Sequence, residues 1–223
     1  MQHDAFCVHA VFFAFVLFFG DFISKLIKYQ HQELIPMETL ATSVTRFFLQ
    51  KHYIEPDQAE WFQYGLIRRM IGSLTFLLLL PIGAIFVGWI GSFLYLYSFR
   101  FLRTRTGGYH AKTPHGCLLT SLGTMFAALT LAKNLYSPLL IGAVLFAAAL
   151  CIFVLAPANN ASLHLTANEI TAIQPRAWLR LAGTVLIGSL LLYICAPLAS
   201  CMAVSLLAVA VMLVLANLGL GAQ

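Results

Sequence analysis

The run Leu77-Leu-Leu-Leu-Pro81-Ile-Gly83-Ala-Ile-Phe-Val-Gly88-Trp-Ile-Gly91-Ser-Phe-Leu-Tyr-Leu-Tyr-Ser-Phe99 is the core of an apolar stretch over residues 66–99 whose only charges are Arg68 and Arg69, at its start. About 20 residues of α-helix cross the hydrocarbon core of a bilayer, so this stretch is too long for one ordinary span. Its centre holds Pro81, Gly83, Gly88 and Gly91, the residue types that break or bend a helix. The stretch therefore reads as two short spans joined by a tight hairpin near Gly88 to Gly91. It lacks the strict apolar-polar alternation of barrel strands, which makes the spans helical.

Working outward, apolar runs follow over residues 118–131, 139–155, 178–196 and 201–218, with Pro138, Pro157 and Pro197 near their ends. That gives an all-α, polytopic membrane helical bundle with six core transmembrane helices. A further run over 6–23 adds an extra N-terminal span. It is not read as a secretory signal, because Met1-Gln-His-Asp has no basic segment and no small-residue cleavage site follows. The composition agrees: 61% of the 223 residues are hydrophobic and 9% charged, with mean hydropathy +0.87. Soluble domains carry about 25% charge.

Seven of the eight acidic residues precede Trp61, so the rest of the chain holds one carboxylate, Glu169, beside nine Lys and Arg. In a soluble protein such a basic balance suggests nucleic acid; here topology accounts for it, because Lys and Arg collect in cytoplasmic loops. Arg68 and Arg69, then Arg100, Arg103, Arg105 and Lys112, then Arg176 and Arg180 share one side under the six-span count, and only Lys133 falls on the other. This parity makes the protein a multi-pass component of the cell membrane. Between 29 and 64 the chain is more polar, with Leu40, Val44, Phe47 and Phe48 spaced on one face of a helix that suits either the membrane interface or packing on the bundle. A second helix starts near Glu55-Pro-Asp.

The polar insert Arg103-Thr-Arg105-Thr-Gly107-Gly108-Tyr-His110-Ala-Lys112-Thr113-Pro114-His115-Gly-Cys117 stands between two of these spans, on the cytoplasmic side by charge parity. A thiol attacks as the thiolate, and a nearby His, basic neighbours or a helix N-terminus favours that form. Thr113-Pro114 reads as an N-cap followed by proline in the first helical position, which puts Cys117 in the first turn at the positive end of the dipole. On one straight helix His110 and Cys117 would stand about 10 Å apart along the axis, too far for proton transfer. The chain must bend between them, and Gly107-Gly108, Pro114 and Gly116 allow it. Of the five cysteines, the other four lie in apolar runs without disulfide or zinc spacing. Zinc on His110, His115 and Cys117 is the competing reading; the spacing matches no common helical zinc pattern and no Glu stands nearby as base. No metal and no cofactor are expected, since Gly107-Gly108 also lacks the strand and lysine of a nucleotide loop.

The pattern R-x-x-x-G-G-x-H-A-x-x-x-x-x-C, together with Tyr64-Gly-Leu and Ala156-Pro157 followed by Asn159, resembles the accessory gene regulator B family of membrane cysteine endopeptidases. The resemblance covers about residues 37–218, a membrane-embedded peptidase domain, and leaves 1–36 as an N-terminal extension. It implies His110 and Cys117 as catalytic residues and Arg103, Gly107 and Gly108 as positions that shape the site. It further implies a short propeptide substrate, cut at the cytoplasmic face and cyclised to a thiolactone or lactone autoinducing peptide in quorum sensing. Arg105 and Lys112 add positive charge that would attract an acidic C-terminal tail of that substrate. A third, orienting residue stays open among Asn159, Asn160, Asn168 and Glu169. Small residues at Gly83, Gly88 and 147–149 permit close helix packing, including in a homodimer. The alternative from another class is a non-catalytic membrane protein that binds or exports a peptide, with the insert as a gating loop. The near absence of ionisable groups in the later spans argues against an ion-coupled carrier.

Overall fold

The computed structural model describes residues 38–109, 114–158 and 167–219, and all regular structure among them is helical. Two compact units divide the chain, Met1–Leu74 and Thr75–Gln223. The extra N-terminal span expected over 6–23 lies outside the described residues. In the first unit, α1 (38–50) is followed by a turn in which His52 takes a positive φ of 54°, and a 3-10 turn at Pro56–Gln58 opens α2 (Ala59–Thr106). The helix start expected at Glu55-Pro-Asp is thus present.

α2 is not one rod. Gly88 has φ 74° and ψ 168°, values open to glycine and closed to side-chain-bearing residues. On either side the chain folds back: the Ser92 hydroxyl donates to the Leu80 carbonyl at 2.9 Å, and the rings of Phe76 and Phe93 lie 6.1 Å apart. Seventeen residues of straight helix would separate those rings by about 25 Å along the axis. The expected hairpin is therefore real, and its arms touch at Gly83, where an added Cβ would come 2.3 Å from the Ser92 hydroxyl oxygen.

α3 (Pro114–Asn134), α4 (Pro138–Leu155), α5 (Ala167–Ile194) and α6 (Ala196–Asn217) complete the second unit. α6 packs against α3, α4 and α5 and is the most enclosed of them, with Ala199, Ala203, Leu206, Val209 and Leu213 buried. Its alanines let neighbouring backbones approach closely, the packing mode that serves where lipid removes the hydrophobic incentive. Hydroxyls inside an apolar bundle need acceptors. Ser205 donates to the Tyr95 carbonyl on α2 at 3.1 Å and Ser200 to the Ala132 carbonyl on α3 at 3.2 Å. Trp178 of α5 stacks on Phe153 of α4 at 4.7 Å.

Four helical segments among the described residues are long and apolar enough to cross a membrane: Pro56–Thr106, Pro138–Leu155, Ile170–Ile194 and Ala196–Asn217. One expectation needs correcting. The helix expected to start with the apolar run at residue 178 begins eleven residues earlier, at Ala167, and α5 runs through Pro175. Proline removes one backbone hydrogen bond, and the remaining turns carry the helix past it.

Candidate active site

The insert is anchored where α2 ends. The Gly107 N–H closes the last turn on the Arg103 carbonyl at 3.1 Å, and then Gly107 and Gly108 take φ of +71° and +125°. Both positions are also crowded. A Cβ on Gly107 would stand 3.2 Å from the Ala158 carbonyl, and one on Gly108 would stand 2.9 Å from a guanidinium nitrogen of Arg103 and 3.4 Å from the Met212 carbonyl. Glycine is needed there twice over, for the backbone turn and for the approach of neighbours.

What approaches is a set of backbone clamps. The carbonyl of buried Thr106, at the helix end where carbonyls lose their intrahelical donors, accepts the Ala158 N–H at 2.9 Å. Ala158 follows Pro157, whose peptide bond with Ala156 is cis. The Tyr109 N–H donates to the Met212 carbonyl on α6 at 2.9 Å, and the Tyr109 carbonyl accepts from the Arg103 guanidinium. That guanidinium also lies over the Phe99 ring, 5.8 Å from its centre. Tyr109 is thus held on both edges of its backbone, and the next residue is His110.

A second arginine braces the same end of α2 from α5. Arg180 donates to the Phe101 carbonyl at 2.8 Å and to the Thr104 hydroxyl at 2.6 Å, and stacks over Phe101 at 4.5 Å. Arg105 lies within electrostatic reach of Arg180. Across the insert, α3 begins at Pro114, so Cys117 is its fourth residue. First-turn N–H groups lack intrahelical acceptors and carry the positive end of the dipole, an environment that favours thiolate and can receive an oxyanion.

Of the residues singled out from sequence, Arg103, Gly107 and Gly108 come together around Tyr109, and Arg105 is half-buried, one residue before the end of α2. His110 and Lys112 lie outside the described residues, as do Asn159 and Asn160, and Cys117, Asn168 and Glu169 are placed by backbone alone. Sequence reasoning missed Met212, Ala158 and the brace by Arg180. Only Arg180 had a local signal, as an arginine set among apolar neighbours inside a span-length helix.

These features define an all-helical protein built for a membrane, with a glycine-turned, arginine-clamped insert between two helices. A family model described as accessory gene regulator B matches residues 41–215, and the chain belongs to that family. Its role accordingly lies in peptide processing for quorum sensing. Searches of curated proteins and of solved structures returned no match.

Proposed function

We propose that the protein is a membrane cysteine endopeptidase that cleaves a small signalling propeptide at the cytoplasmic face, with His110 and Cys117 as its catalytic pair. The observation that supports this reading is the double clamp on Tyr109, the residue directly before His110, in a chain whose next helix carries Cys117 in its first turn. A loop that only linked two spans would need no such restraint.

In this mechanism His110 takes the thiol proton and the Cys117 thiolate attacks the scissile carbonyl. N–H groups of the first turn of α3 stabilise the oxyanion. As the intermediate collapses, His110 gives its proton to the leaving amine and the peptide remains as a thioester on Cys117. An internal thiol or hydroxyl of the peptide then displaces Cys117, giving a thiolactone or lactone.

Arg105, together with Lys112, attracts an acidic tail on the leaving segment, while Arg103 is committed to the clamp. In this reading the chain crosses six times, the hairpin at Gly88 counting twice and α3, α4, α5 and α6 once each, which puts Arg69 at the start of α2, the insert and Arg176 near the start of α5 on one side. Small-residue surfaces leave room for a homodimer. Cys117→Ala and His110→Ala should each abolish propeptide cleavage by protein that is inserted in membranes at normal levels. Full cleavage by either variant overturns the assignment.

A further inference from the structure

α1 divides its surface into three sectors rather than two. At about 100° per residue, Ala41, Thr45 and Phe48 fall in one sector. That sector is used within the first unit: Ala41 and Thr45 are buried, Phe48 packs on Phe62 of α2 at 5.0 Å and on Tyr53 at 5.8 Å, and Thr42 at its edge accepts from the Gln63 side chain at 2.9 Å. Thr39, Ser43, Arg46 and Gln50 form an exposed polar sector about 60° wide. Leu40, Val44 and Phe47 form a third sector of similar width, in which Leu40 is 53% and Phe47 52% exposed. The sequence spacing put Phe47 and Phe48 on one face; packing of α1 on the start of α2 separates them, Phe48 turned onto Phe62 and Phe47 left out.

A helix resting on its partner in water needs a packed face and a polar face. The third, apolar face is explained by a second solvent. We propose that α1 lies in the membrane interface, with Leu40, Val44 and Phe47 dipping into the boundary between headgroups and acyl chains and Thr39, Ser43, Arg46 and Gln50 toward water. The occupant of the face is lipid because α1 is tied to the helical segment Pro56–Thr106, which is itself apolar enough to enter the bilayer. The first turns of α2 add two exposed aromatics, Trp61 at 79% and Tyr64 at 58%, the types that sit at headgroup level. Lys51, exposed in the turn directly after α1, supplies a cation at this end of the helix. This placement does not depend on the peptidase reading.

Spin labels at single cysteines through residues 39–50 test it, in an otherwise cysteine-free full-length protein held in vesicles of phosphatidylcholine and phosphatidylglycerol. Labels at 40, 44 and 47 should collide severalfold more with oxygen than with a water-soluble nickel chelate, and labels at 39, 43, 46 and 50 should show the reverse. Labels at 40 and 47 that meet the nickel chelate as readily as those at 39 and 46 overturn the proposal. So does shielding from both reagents, which would mean that protein covers the face. Native cysteines are kept in a second measurement, with Trp89→Phe and Trp178→Phe leaving Trp61 as the fluorophore. Bromine on the upper acyl chain should quench Trp61 strongly, and quenching no greater than for free tryptophan in the same vesicles refutes it.

Discussion

Replacing Arg103 removes the side chain that secures the approach to His110, and the structure sets the size of the loss. Its guanidinium donates to the Tyr109 carbonyl and lies 5.8 Å from the centre of Phe99. A hydrogen bond from a charged donor contributes about 1.5–3 kcal/mol net, and a partly exposed cation over an aromatic ring about 0.5–1 kcal/mol. Arg103→Ala forfeits both, about 2–4 kcal/mol of preference for the clamped insert. The Tyr109 N–H still has Met212, so the insert keeps one restraint and the bundle stays folded. At about 1.4 kcal/mol per factor of ten, the ratio of clamped to released insert falls by a factor of about 30 to 700. Cleavage of a synthetic propeptide by purified enzyme in vesicles should show kcat reduced at least tenfold, KM changed much less, and the melting temperature nearly kept. Arg103→Lys retains charge without the planar fork and should recover only a fraction of the rate. Wild-type kcat in Arg103→Ala would refute the clamp.

Gly108→Ala forces a side chain into φ +125° against Arg103, at a backbone cost of about 1–3 kcal/mol, and should reduce peptide cleavage at least tenfold in the same assay. Arg180→Ala should loosen the end of α2 and lower cleavage, while Thr104→Val, which removes one of its two acceptors, should cost less and add little to Arg180→Ala when the two are combined. Gly83→Ala overpacks the hairpin against Ser92 and should lower thermal stability in detergent by about 1–3 kcal/mol, with Ser92→Ala relieving part of that loss in the double variant. Arg105→Gln should raise KM for a substrate with an acidic tail and leave KM for a neutral-tailed one unchanged; equal KM shifts for both would remove steering as its role.

The hairpin at Gly88 was legible because its signal is local: an apolar stretch too long for one span, with breakers at its centre. The start of α3 at Pro114 was legible for the same reason, since proline in a first turn marks its position without help from the rest of the fold. α5 was read too short because Pro175 and the polar residues before it look like a loop when neighbours are ignored. The site divides likewise. Gly107 and Gly108 announce a special backbone, and Arg103 enters through family resemblance. Their partners, namely Ala158 just after α4, Arg180 on α5 and Met212 on α6, are distant in sequence, and two of them contribute only backbone atoms, which side-chain identity cannot reveal.

The central claim is that Cys117 becomes acylated. Wild-type protein mixed with a propeptide that lacks its internal nucleophile should gain the mass of the retained acyl fragment on the peptide containing Cys117, and hydroxylamine should release it. His110→Ala should gain little of that mass and Cys117→Ala none. Cleavage with no adduct on Cys117 in wild type, or with the same adduct on another residue of Cys117→Ala, would contradict the account.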